Sequence, residues 1–160
     1  MSQNSDAPLP DLHISPVTPD DLAELLVLQR CCWVQEAIAN NTLDIPALHE
    51  TLDEVAEWAS TWQVWCVRRH GRLIAAVRAR ADGSTWDIGR LMVAPDQAGH
   101  GIGRWLLGYA ERQAPREIST CSLFTGEHSE RNIALYQRAG YQLTEHGPGV
   151  VHLTKALVTA

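Results

Sequence analysis

From Trp62 onward the hydrophobic pattern changes its period, and that change constrains the fold more than any other feature of the chain. Upstream, Leu22, Leu25, Leu26 and Trp33 recur on one helical face, and Leu48, Leu52, Val55, Ala56 and Ala59 do so again. Downstream, residues 64–67, 73–80 and 85–93 are strand-like runs separated by the turn signals His70-Gly71 and Asp82-Gly83. Two hairpins in succession make an antiparallel meander. Helical spacing then returns at Ile102, Leu106 and Ala110, in a helix that Pro115 ends. A strand at 118–124 follows. Ser129 caps a fourth helix lined by Ile133, Tyr136 and Ala139 and stopped by Gly140, and strands at 141–144 and 150–153 flank Gly147-Pro148-Gly149.

Before these elements, residues 13–17 suit a short strand and Thr18-Pro19-Asp20-Asp21 a helix start, with Thr18 as N-cap and Asp21 completing a capping-box-like pattern. The first helix is expected to run to about Cys32, with Asn40-Asn41 and Pro46 as breakers. The order strand, two helices, three strands, helix, strand, helix, two strands predicts an α/β fold: a mixed, mostly antiparallel sheet flanked by four helices. The alternation of periods excludes sandwiches and all-helical bundles. With 160 residues, 45% of them hydrophobic, one domain at 13–160 is expected, after a flexible N-terminal tail at 1–12.

A formal charge of −6 argues against an electrostatic grip on nucleic acid, so no nucleic-acid partner is expected. No apolar stretch approaches the ~20 residues needed to cross a bilayer, and the N-terminus carries no export signal, which points to the cytoplasm. Cys31, Cys32, Cys66 and Cys121 fit neither a disulfide framework nor a metal-ligand spacing. His13, His49, His70, His100, His128, His146 and His152 show no ligand spacing either, so no metal is expected.

The segment that carries chemistry is Ala98-Gly99-His100-Gly101-Ile102-Gly103-Arg104, between a strand and a helix. Glycines there serve a sharp turn, or let successive backbone N–H groups and the helix dipole converge on an anion. A P-loop is ruled out because the only lysine, Lys155, lies far away. A dinucleotide fingerprint is ruled out because Arg104 stands where a third glycine would be needed and the preceding strands are hairpin-linked.

Together with Gly89-Arg90-Leu91-Met92-Val93-Ala94-Pro95 upstream and Asn132-Ile133-Ala134-Leu135-Tyr136-Gln137-Arg138-Ala139-Gly140-Tyr141 downstream, this loop resembles the GCN5-related N-acetyltransferases. The resemblance extends over nearly the whole chain after residue 12. It implies acetyl-CoA as cosubstrate: pyrophosphate on Gly99, His100, Gly101, Ile102, Gly103 and Arg104, and the pantetheine arm along Leu91, Met92 and Val93, between two strands that splay apart. Asn132 would reach the arm. Ala98 departs from the family pattern, which has Gln or Arg there, and leaves the backbone cradle without that side chain.

Direct transfer to an amine needs a base, donors for the thioester oxygen, and a proton for the departing thiolate. Asp87 matches the position of a base in some family members, and a solvated strand carboxylate reads equally well there. Tyr136 matches the family's general acid. Trp33 stands in the region where the family builds its acceptor pocket, and the acidic residues Asp44, Glu50, Asp53, Glu54 and Glu57 nearby suit either attraction of a cationic amine or a solvated face. The expected function is acetylation of a small-molecule amine. Protein or peptide acetylation, or a non-catalytic acetyl-CoA-binding module, are the alternatives, and a homodimer is compatible with all three.

Overall fold

Pro46 breaks the helical pattern in the sequence, yet in the fold it opens a helical turn, because the first helical position needs no N–H from it. The structure is a computed structural model that describes residues 6–158. Its elements are β1 (Leu12–Pro16), a 3-10 turn (Pro19–Asp21), α1 (Leu22–Asn40), α2 (Pro46–His49), α3 (Leu52–Thr61), β2 (Gln63–Arg69), β3 (Arg72–Asp82), β4 (Thr85–Val93), a second 3-10 turn (Pro95–Gln97), α4 (Ile102–Arg112), β5 (Thr120–Gly126), α5 (Glu130–Arg138), β6 (Gln142–His146) and β7 (Val150–Ala156). The order is the one the periods predict, with the single turn α2 added. Of the expected tail, residues 1–5 lie outside the described residues, while Ala7 and Leu9 pack against the core.

The seven strands form one sheet in the order β1-β2-β3-β4-β5-β7-β6. Every neighbouring pair is antiparallel except β4 and β5, which run parallel over only Thr85–Asp87 against Thr120–Ser122. Val64, Trp65, Cys66 and Val67 are all buried, as a strand covered on both faces requires. Trp86 on β4 is buried against α4, where its indole N–H donates to the Ala110 carbonyl at 2.9 Å. Asp87, one residue on, therefore points to the other face of the sheet.

α1 runs to Asn40, well past the expected Cys32. Its last two turns escaped the hydrophobic pattern because Val34 and Ile38 face solvent, while the inward side is made by the small Ala37 and by the polar Glu36 and Asn40. Asn41, in the left-handed region at φ 49°, ends the helix.

α1 is tied to the sheet by charge. Arg68 on β2 reaches Asp21 at 2.7 Å and Glu24 at 2.9 Å. Burial raises the Asp21 carboxyl, but the hydrogen bond from Arg68 and the Thr18 backbone N–H outweigh it and hold it below its ordinary value of 3.8; Arg68 likewise lowers Glu24 from 4.5. Folded values below unfolded ones mean stability present above the ordinary carboxylate range and lost as pH falls through it. Arg68→Ala is expected to lower Tm by a few degrees at neutral pH and by progressively less below about pH 4. A Tm difference from wild type that is constant between pH 7 and pH 3 would contradict this.

Candidate active site

β4 leaves β5 after the Asp87–Ser122 pair, and a bulge explains why. Ala76 pairs with Met92 and Arg78 with Gly89, so Arg90 and Leu91 together oppose Val77. Arg90 takes the extra turn at φ 47°. A bulge bends its strand and ends regular pairing, which leaves the facing edges of β4 and β5 open. Between them lies a cleft of about 1510 Å³.

The Gly-rich turn closes one end of this cleft. Gly99 at φ 86° and Gly101 at φ 79° place the chain in the left-handed region on both sides of His100, and Gly101 is the N-cap of α4. Among the described residues, no backbone carbonyl accepts from the N–H groups of residues 99–104. These orphan donors at a helix N-terminus suit a pyrophosphate without any lysine. The open strand edges suit an amide-bearing arm. Arg72 on β3 clamps, through Asp96, the 3-10 turn that leads into the Gly-rich turn, with both carboxylate oxygens engaged at 2.6 and 2.8 Å.

Leu91, Val93, Gly99, Gly101, Ile102, Gly103, Arg104 and Asn132 all line the cleft, as do Asp87 and Tyr136. Met92 and His100 do not. Strand alternation sends the Met92 side chain into the core, where it is 1% exposed, and His100 is exposed beside the cleft. Met92 can therefore contribute main-chain groups only.

Tyr136 is buried, its ring set edge-on to Tyr141 at 6.1 Å between centroids. Burial, with the charge of Glu36 adding, pushes its phenol well above the ordinary value of 10, so the hydroxyl keeps its proton at any working pH. Asp87 accepts a hydrogen bond from Ser122 Oγ at 2.5 Å. The Asn132 amide donates to Glu36 Oε1 at 3.0 Å, and Ser129 Oγ donates to the other Glu36 oxygen. Glu36, a cleft residue that the sequence did not signal, thus fastens α1 to α5 across the cleft.

The opposite end of the cleft is walled by Trp33, Asp44, Ile45, Pro46, Trp62, Arg78, Arg80 and Arg90. Arg90 is held by Glu50 at 2.7 Å and lies 5.4 Å from the Trp33 ring centroid. Glu50 also accepts from Gln29 at 3.1 Å. It is therefore a structural anion for Arg90, and of the acidic cluster read from the sequence only Asp44 lines the cleft. Among the described residues no three His, Cys, Asp or Glu side chains gather as a metal site requires.

A parallel pair that splays onto a row of orphan N–H groups is the arrangement the resemblance implied, and the comparisons agree. A model of the acetyltransferase (GNAT) family matches residues 23–141. The chain belongs to this family. Among curated proteins, this GNAT chain is 29% identical over 122 residues to the UPF0157 protein YqkA of Bacillus subtilis (strain 168), covering 76% of its own length and 35% of that protein. It thus spans about a third of the length of the curated relative it matches. Among solved structures it is similar to the PaiA N-acetyltransferase of Thermoplasma acidophilum in complex with coenzyme A, with TM-score 0.73, 14% identity, and 91% and 98% of the two chains covered. It is also similar to the ribosomal-protein-S18-alanine N-acetyltransferase of Escherichia coli, with TM-score 0.69, 16% identity, and 93% and 96% covered. At such identities the structural likeness speaks for the GNAT fold.

Proposed function

We propose that this GNAT chain transfers the acetyl group of acetyl-CoA directly to the amine of a small molecule. The observation that carries this reading is the cleft itself, which joins the orphan N–H groups of residues 99–104, the open edges of β4 and β5, and the side chains of Asp87 and Tyr136 in one space. Acetyl-CoA supplies the activated acyl carbon. The 99–104 turn holds its pyrophosphate, Leu91 and Val93 offer main-chain pairing to the arm, and Asn132 steadies the α5 side through Glu36.

Asp87 takes the proton of the attacking amine and Tyr136 gives one to the departing sulfur. The small-molecule reading is favoured over a protein acceptor because α1, the start of α2 and the segment between them wall the acceptor end with Trp33, Asp44, Ile45 and Pro46. The likeness to a ribosomal-protein acetyltransferase supports the protein reading. No helix among the described residues is long and apolar enough to cross a membrane, and the four cysteines are free thiols, in keeping with action in the cytoplasm.

The test is incubation with acetyl-CoA and a panel of small amines, peptides and proteins, following free thiol. Release of thiol with no amine, or with none of the panel, sinks the reading. Asp87→Asn is expected to lower the rate about 10²-fold or more below the pKa of the amine and much less above it. An equal loss at every pH would make Asp87 an orienting residue instead.

A further inference from the structure

The acceptor end of the cleft carries three arginines, and their charges are unequally matched. Arg78 and Arg80 lie two residues apart on β3 and share a face. The Arg78 guanidinium sits 4.7 Å from the Trp58 ring centroid and 4.1 Å from that of Trp62, and Arg80 covers Trp62 at 4.1 Å. Gly89 makes the space, since a Cβ there would come within 3.4 Å of Arg78 Nε.

Arg90 has Glu50 as its counter-ion. Among the described residues no carboxylate lies within 4.0 Å of Arg78 or Arg80, and Arg78 Nε is buried without a hydrogen-bond partner. Burial pushes the Arg78 guanidinium down to about 9, with Arg90 and Arg80 adding to the effect and Glu50 opposing it. In a chain of net charge −6, two guanidiniums facing a cleft without an anion form a site that lacks its negative half.

Across the β3–β4 ladder, Asp87 pairs with Arg80 and Gly89 with Arg78. Asp87 gives a lone pair to Ser122 rather than to either arginine. Negative and positive groups therefore stand side by side, about 5 Å apart at their Cβ atoms, which suits a compact zwitterion. We propose that the acetyl acceptor is an amine bearing a carboxylate, as a free amino acid does, with Arg78 and Arg80 binding the carboxylate while the amine is presented to Asp87. A planar guanidinium fork matches a carboxylate, and indole faces hold the fork in place. The inference rests on the acetyltransferase reading above.

The test offers free amino acids and their α-carboxamides as paired acceptors. The amide has the less basic amine, so the comparison is biased against the proposal. Acids are expected to show a kcat/KM at least about 10-fold above their amides, given the strength of charge-assisted hydrogen bonds. The double variant Arg78→Gln, Arg80→Gln is expected to raise KM for the acids about 10–100-fold, with a smaller change in kcat, and to move the acid-to-amide ratio toward one.

Tryptophan fluorescence titrated with the same amino acids reads the subsite without acetyl transfer, because Trp58 and Trp62 stack on Arg78. Circular dichroism shows whether the variant folds, and Arg80→Gln alone, at an exposed position, serves if the double variant does not. Arg78-dependent binding without transfer upholds the subsite and sinks the acetyltransferase reading. Preference for the amides, acid binding unmoved by the substitutions, or no binding and no transfer with any amino acid overturns the proposal.

Discussion

Tyr136→Phe is expected to lower kcat by about 10²–10⁴-fold while acetyl-CoA affinity and Tm change little. The substitution removes one oxygen and keeps the ring, so the edge-on packing against Tyr141 survives. A proton donor must hold its proton until the sulfur departs, and burial with the nearby Glu36 charge ensures this by raising the phenol far above neutrality. The wild-type pH–rate profile should accordingly show no falling limb from Tyr136 below about pH 10. A tyrosine that served packing alone would behave in the opposite way, losing about 1 kcal/mol with its hydroxyl and leaving the rate nearly normal. Measuring kcat, cofactor affinity and Tm on this one variant separates the two, and a near-native kcat removes the proton-donor role.

Legibility in the sequence followed the range of the interactions involved. The period change at Trp62, the capping residues Thr18 and Asp21, and the glycines at 99, 101 and 140 are local signals, and the elements they predict are present. The splayed pair β4–β5 and the cleft residues on either side followed from motif resemblance rather than from pattern. What escaped were partners far apart in the chain. Glu36 meets Ser129 and Asn132, and Arg90 meets Glu50; no spacing rule links such positions.

Alternation along a strand is, by contrast, a local signal. Leu91 and Val93 line the cleft while Met92 fills the core, as period two demands of consecutive strand residues. Arg78 and Arg80 are likewise same-face neighbours by alternation, in a strand whose other residues are mostly apolar. The partly buried Arg78 on an inner strand carries information, because burying a guanidinium is costly unless something in the site answers it.

Gly101→Glu is expected to abolish the rise in Tm that acetyl-CoA produces. At 100 times its Kd the ligand adds about 2.7 kcal/mol to native stability, or roughly 5–11 °C for a domain of this size. Two effects follow from the substitution, and they separate cleanly. The first is backbone strain: Gly101 holds φ 79°, a region that costs other L-residues about 1–2 kcal/mol, so the free protein should melt a few degrees lower. The second is electrostatic, since a carboxylate would stand among the orphan N–H groups of residues 99–104 and compete with any incoming phosphate. Gly101→Ala carries the strain without the charge, and among the described residues its Cβ would meet only Pro8 Cβ, at an ordinary 3.7 Å. Ala is therefore expected to melt lower yet keep most of the ligand-induced rise, while Glu melts lower and loses it. Thermal melts of the three proteins with and without acetyl-CoA decide the matter, and an undiminished rise in a folded Gly101→Glu protein would place the phosphates away from this turn.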